Sequence, residues 1–251
     1  MNNRSVEAAP QLYARIGGAL YLAIIIIGLF GQAFVRERLI VSGDATTTVA
    51  NILAHVSLWR IHIAGELLLL VCATALAMIE YMLLRPVSRE FALLAVFFDL
   101  MSVAVEAAVA MYLIQALFPI DGAQYLRVFT PEQLAGLARI TLRSHGYGFG
   151  VSLIFFGFSC IITGWLIFRS GYLPKLVGVL MQIAGVCYLI NSFALIVSPN
   201  LADRLYPAIL LPPFVGELSF CLWLLIMGVN VGRWNERVLG LDVARVRKAS
   251  S

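Results

Sequence analysis

Long runs of apolar residues alternate with short polar segments along the whole chain. Six of these runs reach the length of about 20 residues that a helix needs to cross the hydrocarbon core of a bilayer. Because a backbone in lipid must satisfy its hydrogen bonds internally, each run is predicted to be a transmembrane helix. The predicted spans cover residues 16–35, 61–84, 91–118, 147–168, 174–197 and 212–231.

Two of the connecting segments carry helical patterns of their own. An N-cap signal at residues 42–44 precedes apolar residues at helical spacing up to Val56. Thr130, Pro131 and Gln133 resemble a capping box with proline at the first helical position. Both segments are predicted to lie on the membrane surface, either covering the bundle or closing a cavity like a lid. The expected fold is therefore an all-α, polytopic membrane protein, a six-transmembrane-helix bundle with two outer interfacial amphipathic helices.

The composition agrees with this class. Of the 251 residues, 61% are hydrophobic and 13% are charged, whereas soluble domains are about 25% charged. These values exclude a disordered chain, a nucleic-acid-binding module and an ordinary soluble enzyme. The four cysteines lie singly in apolar runs without a C-x-x-C pair, so they are interpreted as small buried hydrophobes.

Basic residues divide unequally between the two sides of the predicted bundle. If the N-terminus is cytoplasmic, the inner segments hold 11 of the 18 Lys and Arg residues and the outer segments hold 7. The positive-inside rule then places both termini in the cytoplasm. The expected organisation is a cytoplasmic N-tail over 1–11, a six-span membrane domain over 12–232 and a basic cytoplasmic C-tail over 233–251.

Ionisable residues inside the predicted spans carry the strongest functional signal, because each is costly in hydrocarbon unless it is paired or hydrated. The candidate ligand-binding or proton-linked residues are His62, Glu66, Asp99, Glu106, His145 and Glu217, with Arg60 at a span end. They belong to four predicted helices and are expected to meet in the outer half of the bundle. Glu80 lies near the cytoplasmic end of its span and is expected to extend its carboxylate to the interface.

Three interpretations of this group stay open. The side chains form a buried network that fixes helix register, or they line a cavity that binds a ligand or protons. A metal site is the third, with His62, Glu66, Glu106, His145 and Glu217 as candidate ligands. No His-Glu-x-x-His or Glu-x-x-His spacing supports it, and a haem between His62 and His145 fits less well because their predicted depths differ. The cofactor is unknown.

Glycines recur every seven residues in two consecutive sets. The positions are Gly150, Gly157 and Gly164, then Gly171, Gly178 and Gly185. This spacing exposes backbone along one helix face and predicts close helix–helix packing. Pro212 and Pro213 are predicted to begin the sixth span; the alternative is that they break a longer helix just before Glu217.

Several motifs together resemble a known family. They read SGDA at 42–45, LLRPVSR at 83–89, HGYGF at 145–149, FRSGYLP at 168–174 and GELS at 216–219. With them, the region from Tyr13 to Val231 resembles a bacterial integral-membrane family catalogued as domain of unknown function 4386. The resemblance implies a six-span protein of the bacterial inner (plasma) membrane and transfers no activity.

The sequence favours an integral membrane protein that binds or transports a small molecule or lipid through an outward-facing polar cavity. Two alternatives are an intramembrane enzyme, metal-assisted or acid–base, whose catalytic residues are unknown, and an accessory subunit of a larger membrane complex. The expected partners are the lipid bilayer, a small-molecule or lipid ligand and a membrane protein, with no nucleic acid.

Overall fold

The computed structural model of the protein describes residues 9–120 and 123–239. Within these residues all regular elements are helical. Apart from the short 3₁₀ helices Phe118–Ile120 and Gln124–Val128, they are in chain order α1 (Pro10–Leu39), α2 (Ala45–Ala54), α3 (Val56–Leu84), α4 (Arg89–Gln115), α5 (Pro131–Ser170), α6 (Lys175–Val197), α7 (Pro199–Leu205), α8 (Ala208–Met227) and α9 (231–239). Six of them, α1, α3, α4, α5, α6 and α8, are long and apolar enough to cross a membrane. The prediction of an all-α, six-span protein is confirmed.

The predicted tails fall largely outside the described residues. Residues 1–8 of the N-tail and 240–251 of the C-tail are not part of the description. The described part of the C-tail, residues 233–239, belongs to α9.

Local sequence signals set the helix ends. Asp44 caps α2 by accepting a hydrogen bond of 2.9 Å from the Thr47 backbone amide. Thr130 and Gln133 form the capping box in both directions. Gly171 ends α5 with a left-handed φ of 78°, which glycine adopts without a Cβ penalty.

Pro212 and Pro213 start a helix rather than interrupt one. A 3₁₀ turn, Ala208–Leu210, precedes the α-helical part Leu211–Leu222, and the two prolines lie in its first turn. The N–H groups in the first turn of a helix have no acceptor within the helix. Proline, which lacks a backbone N–H, therefore breaks no hydrogen bond at these positions. The predicted ordinary start of the sixth span is confirmed.

The second predicted surface helix is not a separate element. The segment that begins at Pro131 continues into the fourth span as α5, a helix of 40 residues, which corresponds to about 60 Å of length. The capping box starts this helix and no proline follows until Pro174, so nothing stops it between the loop and the span. The first predicted surface helix exists as α2, and its Ile52 is fully buried.

Glycines bring α5 and α6 into close contact. A Cβ placed on Gly164 would lie 2.5 Å from the carbonyl oxygen of Gly178, and one on Gly157 would lie 3.0 Å from that of Gly185. The two antiparallel helices therefore pack backbone against backbone at two levels. The predicted packing role is confirmed for these four glycines, whereas Gly171 ends α5.

The bundle has two distinct ends. The turn end carries the short connections 85–88 and 171–174, and the loop end carries α2, residues 116–120 and 123–130, and α7. At the turn end, α9 crosses both connections. Arg233 Nη1 donates to the carbonyl of Gly171 at 3.1 Å, and Arg237 Nε donates to that of Pro86 at 3.4 Å.

The cap of α2 makes a pH dependence testable. The hydroxyl and amide of Thr47 hold the pKa of Asp44 below its ordinary value of 3.8. A carboxylate whose pKa is lowered on folding stabilises the helix above its unfolded pKa, and this stabilisation is lost as the pH falls through the folded pKa. We expect the hydrogen-exchange protection of the α2 amides, corrected for intrinsic exchange rates, to decrease when the pH is lowered beyond about 3.8. Asp44→Asn keeps a capping oxygen without titrating and should remove this pH dependence; an unchanged profile in that variant would contradict the role of Asp44.

Candidate functional site

A cavity of about 590 Å³ lies inside the bundle, and all six membrane helices contribute to its wall. This volume is within the range of small-molecule sites. Glu66 and Glu80 of α3 both line it; their separation of 14 residues along a helix corresponds to about 21 Å. The cavity is therefore elongated along the bundle. Most of the wall is apolar or aromatic, and Tyr21, Phe156 and Tyr188 contribute rings to it.

The cavity approaches the surface between α1 and the segment 199–227, a region that we call the portal. Among the described lining residues, the exposed ones all belong to these two parts of the chain. They are Leu29, Gln32, Asp203, Tyr206 and Phe214. Toward the turn end α1 and α8 touch closely, because a Cβ on Gly18 would collide with the backbone of Leu225. The portal consequently opens in the half of the bundle nearer the loop end.

Arg36 organises the loop-end part of the site, which we call the arginine cluster (Arg36, His62, Glu66, Glu106 and His145). Arg36 Nη1 lies 3.2 Å from Nδ1 of His145, and the charges of Glu66 and Glu106 also act on Arg36. The carboxyl groups of Glu66 and Glu106 also act on each other electrostatically. Nδ1 of His62 lies 3.9 Å from Oε2 of Glu66. Arg36 thus contacts His145 directly, whereas among the described residues none of its nitrogens lies within 4 Å of a carboxylate oxygen, so its charge acts on Glu66 and Glu106 over a longer distance.

The contact with Arg36 defines the tautomer of His145. A guanidinium only donates hydrogen bonds, so Nδ1 of His145 is the acceptor and its ring proton lies on Nε2. His145 is fully buried and His62 is 3% exposed. Within the described residues, Nε2 of each ring has no hydrogen-bond partner. Neither imidazole ring lines the cavity. Both rings therefore lie outside the cavity wall, where they position neighbouring side chains of the arginine cluster.

A second group of carboxyls lies nearer the turn end, and we call it the acid cluster (Glu80, Asp99 and Glu217). All three line the cavity, and all three act electrostatically on the buried thiol of Cys160, which lines the same cavity. Glu217 accepts a hydrogen bond from the hydroxyl of Tyr188. The hydroxyl of Ser159, which also lines the cavity, donates to the carbonyl of Ala95 at 3.1 Å.

Charge is not balanced in the acid cluster. Within the described residues, Glu80 makes no hydrogen bond, and the charges that act on it are those of Asp99 and Glu217. Over the same residues, Arg36 is the one cationic side chain that lines the cavity, and it belongs to the arginine cluster. The acid cluster therefore contains three carboxyl groups and no cation of its own.

The structure brings some of the candidate residues together and leaves one outside. Glu66, Asp99, Glu106 and Glu217 line one cavity, with His62 and His145 directly behind the loop-end part. Arg60 is exposed and does not line the cavity. Arg36 occupies the position in the network that the sequence had assigned to Arg60.

Arg36 and Glu80 are the residues that sequence reasoning missed. Hydropathy ended the first span at residue 35, but α1 continues to Leu39 through the wider π-helical turn Phe30–Arg36. That turn directs Arg36 inward, and no sequence signal separates it from the exposed Arg38. The expectation that Glu80 extends its carboxylate to the membrane interface is wrong. Glu80 lines the cavity, where Asp99 and Glu217 lie nearby.

The arginine cluster is a poor fit for a metal ion. In residues 9–120 and 123–239, no three His, Cys, Asp or Glu side chains lie close enough together to hold one. Arg36 already engages Nδ1 of His145, and its positive charge opposes a second cation beside it. The metal interpretation of His62, Glu66, Glu106, His145 and Glu217 therefore has no geometric support.

Six apolar helices around a cavity with buried carboxyl groups define a multi-pass integral membrane protein. Its family is shown by the sequence: residues 16–228 match the model described as Domain of unknown function (DUF4386), and the chain belongs to this family. The resemblance identified from the motifs is thereby confirmed. No curated protein and no solved structure matches the chain.

Proposed function

We propose that the protein binds a small molecule inside the membrane and exchanges it, through the portal, with the bilayer or the adjoining aqueous phase. The observation that carries this proposal is the cavity of about 590 Å³ with carboxyl groups in an apolar wall. Such a combination of apolar area and few polar groups is the usual character of a ligand site. A filled interior with every carboxyl paired would have favoured an accessory subunit instead.

The proposal includes an orientation. The excess of basic residues on the turn-end side supports a cytoplasmic location for the turn end and both termini. The portal then faces the outer leaflet of a bacterial inner membrane. In this arrangement α2 lies on the outer membrane surface beside the loop end.

A cavity-filling variant tests the proposal. Ala73 lines the cavity, whereas Ala75, on the same helix, is exposed and faces away from it. The probe is N-phenyl-1-naphthylamine, an uncharged dye whose fluorescence rises in apolar surroundings. We expect saturable binding by the wild type and by Ala75→Trp. Ala73→Trp should bind at least about tenfold more weakly, because the indole occupies the space that the dye needs.

Thermal unfolding in detergent shows whether both tryptophan variants are folded. Equal saturable binding by folded Ala73→Trp and Ala75→Trp would place the dye outside the cavity. That result, or no saturable binding by the wild type, would contradict the proposed function.

A further inference from the structure

We infer that the ligand is an apolar organic cation whose charge is held by the acid cluster of Glu80, Asp99 and Glu217. This inference rests on the proposed function and names the chemical class of the ligand. It follows from the charge, the shape and the access route of the cavity.

The charge of the wall selects against anions. The lining carboxyl residues are Glu66, Glu80, Asp99, Glu106, Asp203 and Glu217, and Arg36 is the cationic residue beside them within the described chain. Arg36 acts on Glu66 and Glu106, so the loop-end carboxyls have their counter-charge. The acid cluster has none. Like charges repel strongly where water is scarce, and a cation placed among them replaces that repulsion with attraction.

Glu80 is the most informative member of the acid cluster. The hydroxyl of Tyr188 donates to Glu217. Within the described residues the carboxyl of Glu80 accepts no such bond, although it lines the cavity. A polar group in an apolar surrounding is costly when it is left without a partner. A ligand cation supplies that partner.

The walls around the acid cluster favour an organic cation over a hydrated inorganic one. Tyr21, Phe156 and Tyr188 line the same part of the cavity, and the rings of Phe156 and Tyr188 lie 5.5 Å apart between centroids. Aromatic faces attract organic cations, and the apolar wall matches an apolar body. For an inorganic ion, the described residues offer no cluster with metal-ligand spacing.

The portal gives such a molecule a route. Leu29 of α1 and Phe214 of α8 are exposed and apolar on the membrane-spanning part of the portal, and Asp203 adds a carboxylate at its loop-end edge. A lipophilic cation collects at the boundary between headgroups and acyl chains, where its charge stays hydrated. From there it can pass between α1 and α8 without crossing the bilayer centre.

The test uses two ions of the same shape and opposite charge, tetraphenylphosphonium and tetraphenylborate. Each is titrated against the full chain with N-phenyl-1-naphthylamine bound, and displacement of the dye is measured. We expect the wild type to bind the phosphonium at least about tenfold more tightly than the borate. This comparison needs no variant, so it does not depend on whether a substitution is tolerated.

Glu80→Gln then assigns the charge to the acid cluster. Because Glu80 makes no hydrogen bond within the described chain, the amide replaces it without breaking one. We expect about tenfold weaker binding of the phosphonium and little change for the dye. The matched control, Glu236→Gln, removes the same charge from an exposed position on α9 and should bind like the wild type.

The outcomes separate this inference from the proposed function. If the dye binds but both ions displace it equally, or the borate does so better, the cavity is a ligand site and the cationic class is wrong. If the phosphonium binds but folded Glu80→Gln and Glu217→Gln bind it like the wild type, the acid cluster does not hold the charge and the inference fails. If the dye itself does not bind to the wild type, the proposed function fails first.

Discussion

Exchange of Gly164 for leucine is expected to destabilise the folded protein by about 3 kcal/mol or more, or to prevent folding, because overpacking against backbone cannot relax by a side-chain movement. A Cβ at this position would lie 2.5 Å from the carbonyl oxygen of Gly178 and 2.8 Å from the backbone nitrogen of Gln182. Room for a side chain requires separation of α5 and α6, which also form part of the cavity wall.

Gly136 offers a matched control on the same helix. A Cβ there meets no heavy atom within 4 Å, and leucine has a higher helix propensity than glycine by about 1 kcal/mol. We expect Gly136→Leu to unfold at the wild-type temperature or slightly above it. Thermal unfolding in detergent, followed by a thiol-reactive dye on the buried cysteines, measures both variants. A Gly164→Leu variant that melts with the wild type would contradict backbone packing at this level.

Replacement of Arg36 by glutamine is expected to cost about 1–3 kcal/mol of stability, because the buried Nδ1 of His145 loses its donor and the two carboxyl groups lose the positive charge that acts on them. Arg36 lies between the Glu66–Glu106 pair and His145, with an Nη1–Nδ1 distance of 3.2 Å to the histidine. Its loss leaves the two carboxyls without their cation and Nδ1 of His145 without its donor.

A compensating variant distinguishes charge balance from a general effect of the substitution. Arg36→Gln combined with Glu66→Gln and Glu106→Gln should recover a large part of the lost stability, because the partners that need a cation are then neutral. Arg38→Gln makes the same change at an exposed position of α1 and should shift the melting temperature little. If the triple variant loses as much stability as the three single variants together, the charge of Arg36 does not stabilise these carboxyl groups.

Much of the fold follows from local features of the sequence. The apolar runs are long enough for spans, and the capping signals at Asp44 and Thr130 act where they were predicted. The error concerns α5, whose surface pattern changes from amphipathic to apolar while the backbone continues as one helix. Hydropathy detects the change of environment but not the continuity of the backbone, since only a breaker or a stop signal would end the helix.

The site was harder to predict because it depends on helix rotation and on long-range neighbours. The cost of burying a charge identified Glu66, Asp99, Glu106 and Glu217, all of which line the cavity. Which arginine serves them depends on the π-helical turn in α1, since an extra residue in one turn rotates the following side chains. The hydroxyl of Tyr188 donates to Glu217, and a tyrosine in an apolar run gives no sign of its partner.

The crossing of α9 over the two tight turns has a mechanical consequence. Arg233 and Arg237 donate hydrogen bonds to the carbonyls of Gly171 and Pro86. One short helix therefore connects the α5–α6 turn with the α3–α4 turn. Relative rotation of these two hairpins would break both bonds. Motions that separate the two hairpins are therefore expected to be larger at the loop end, where the proposed portal lies, than at the turn end.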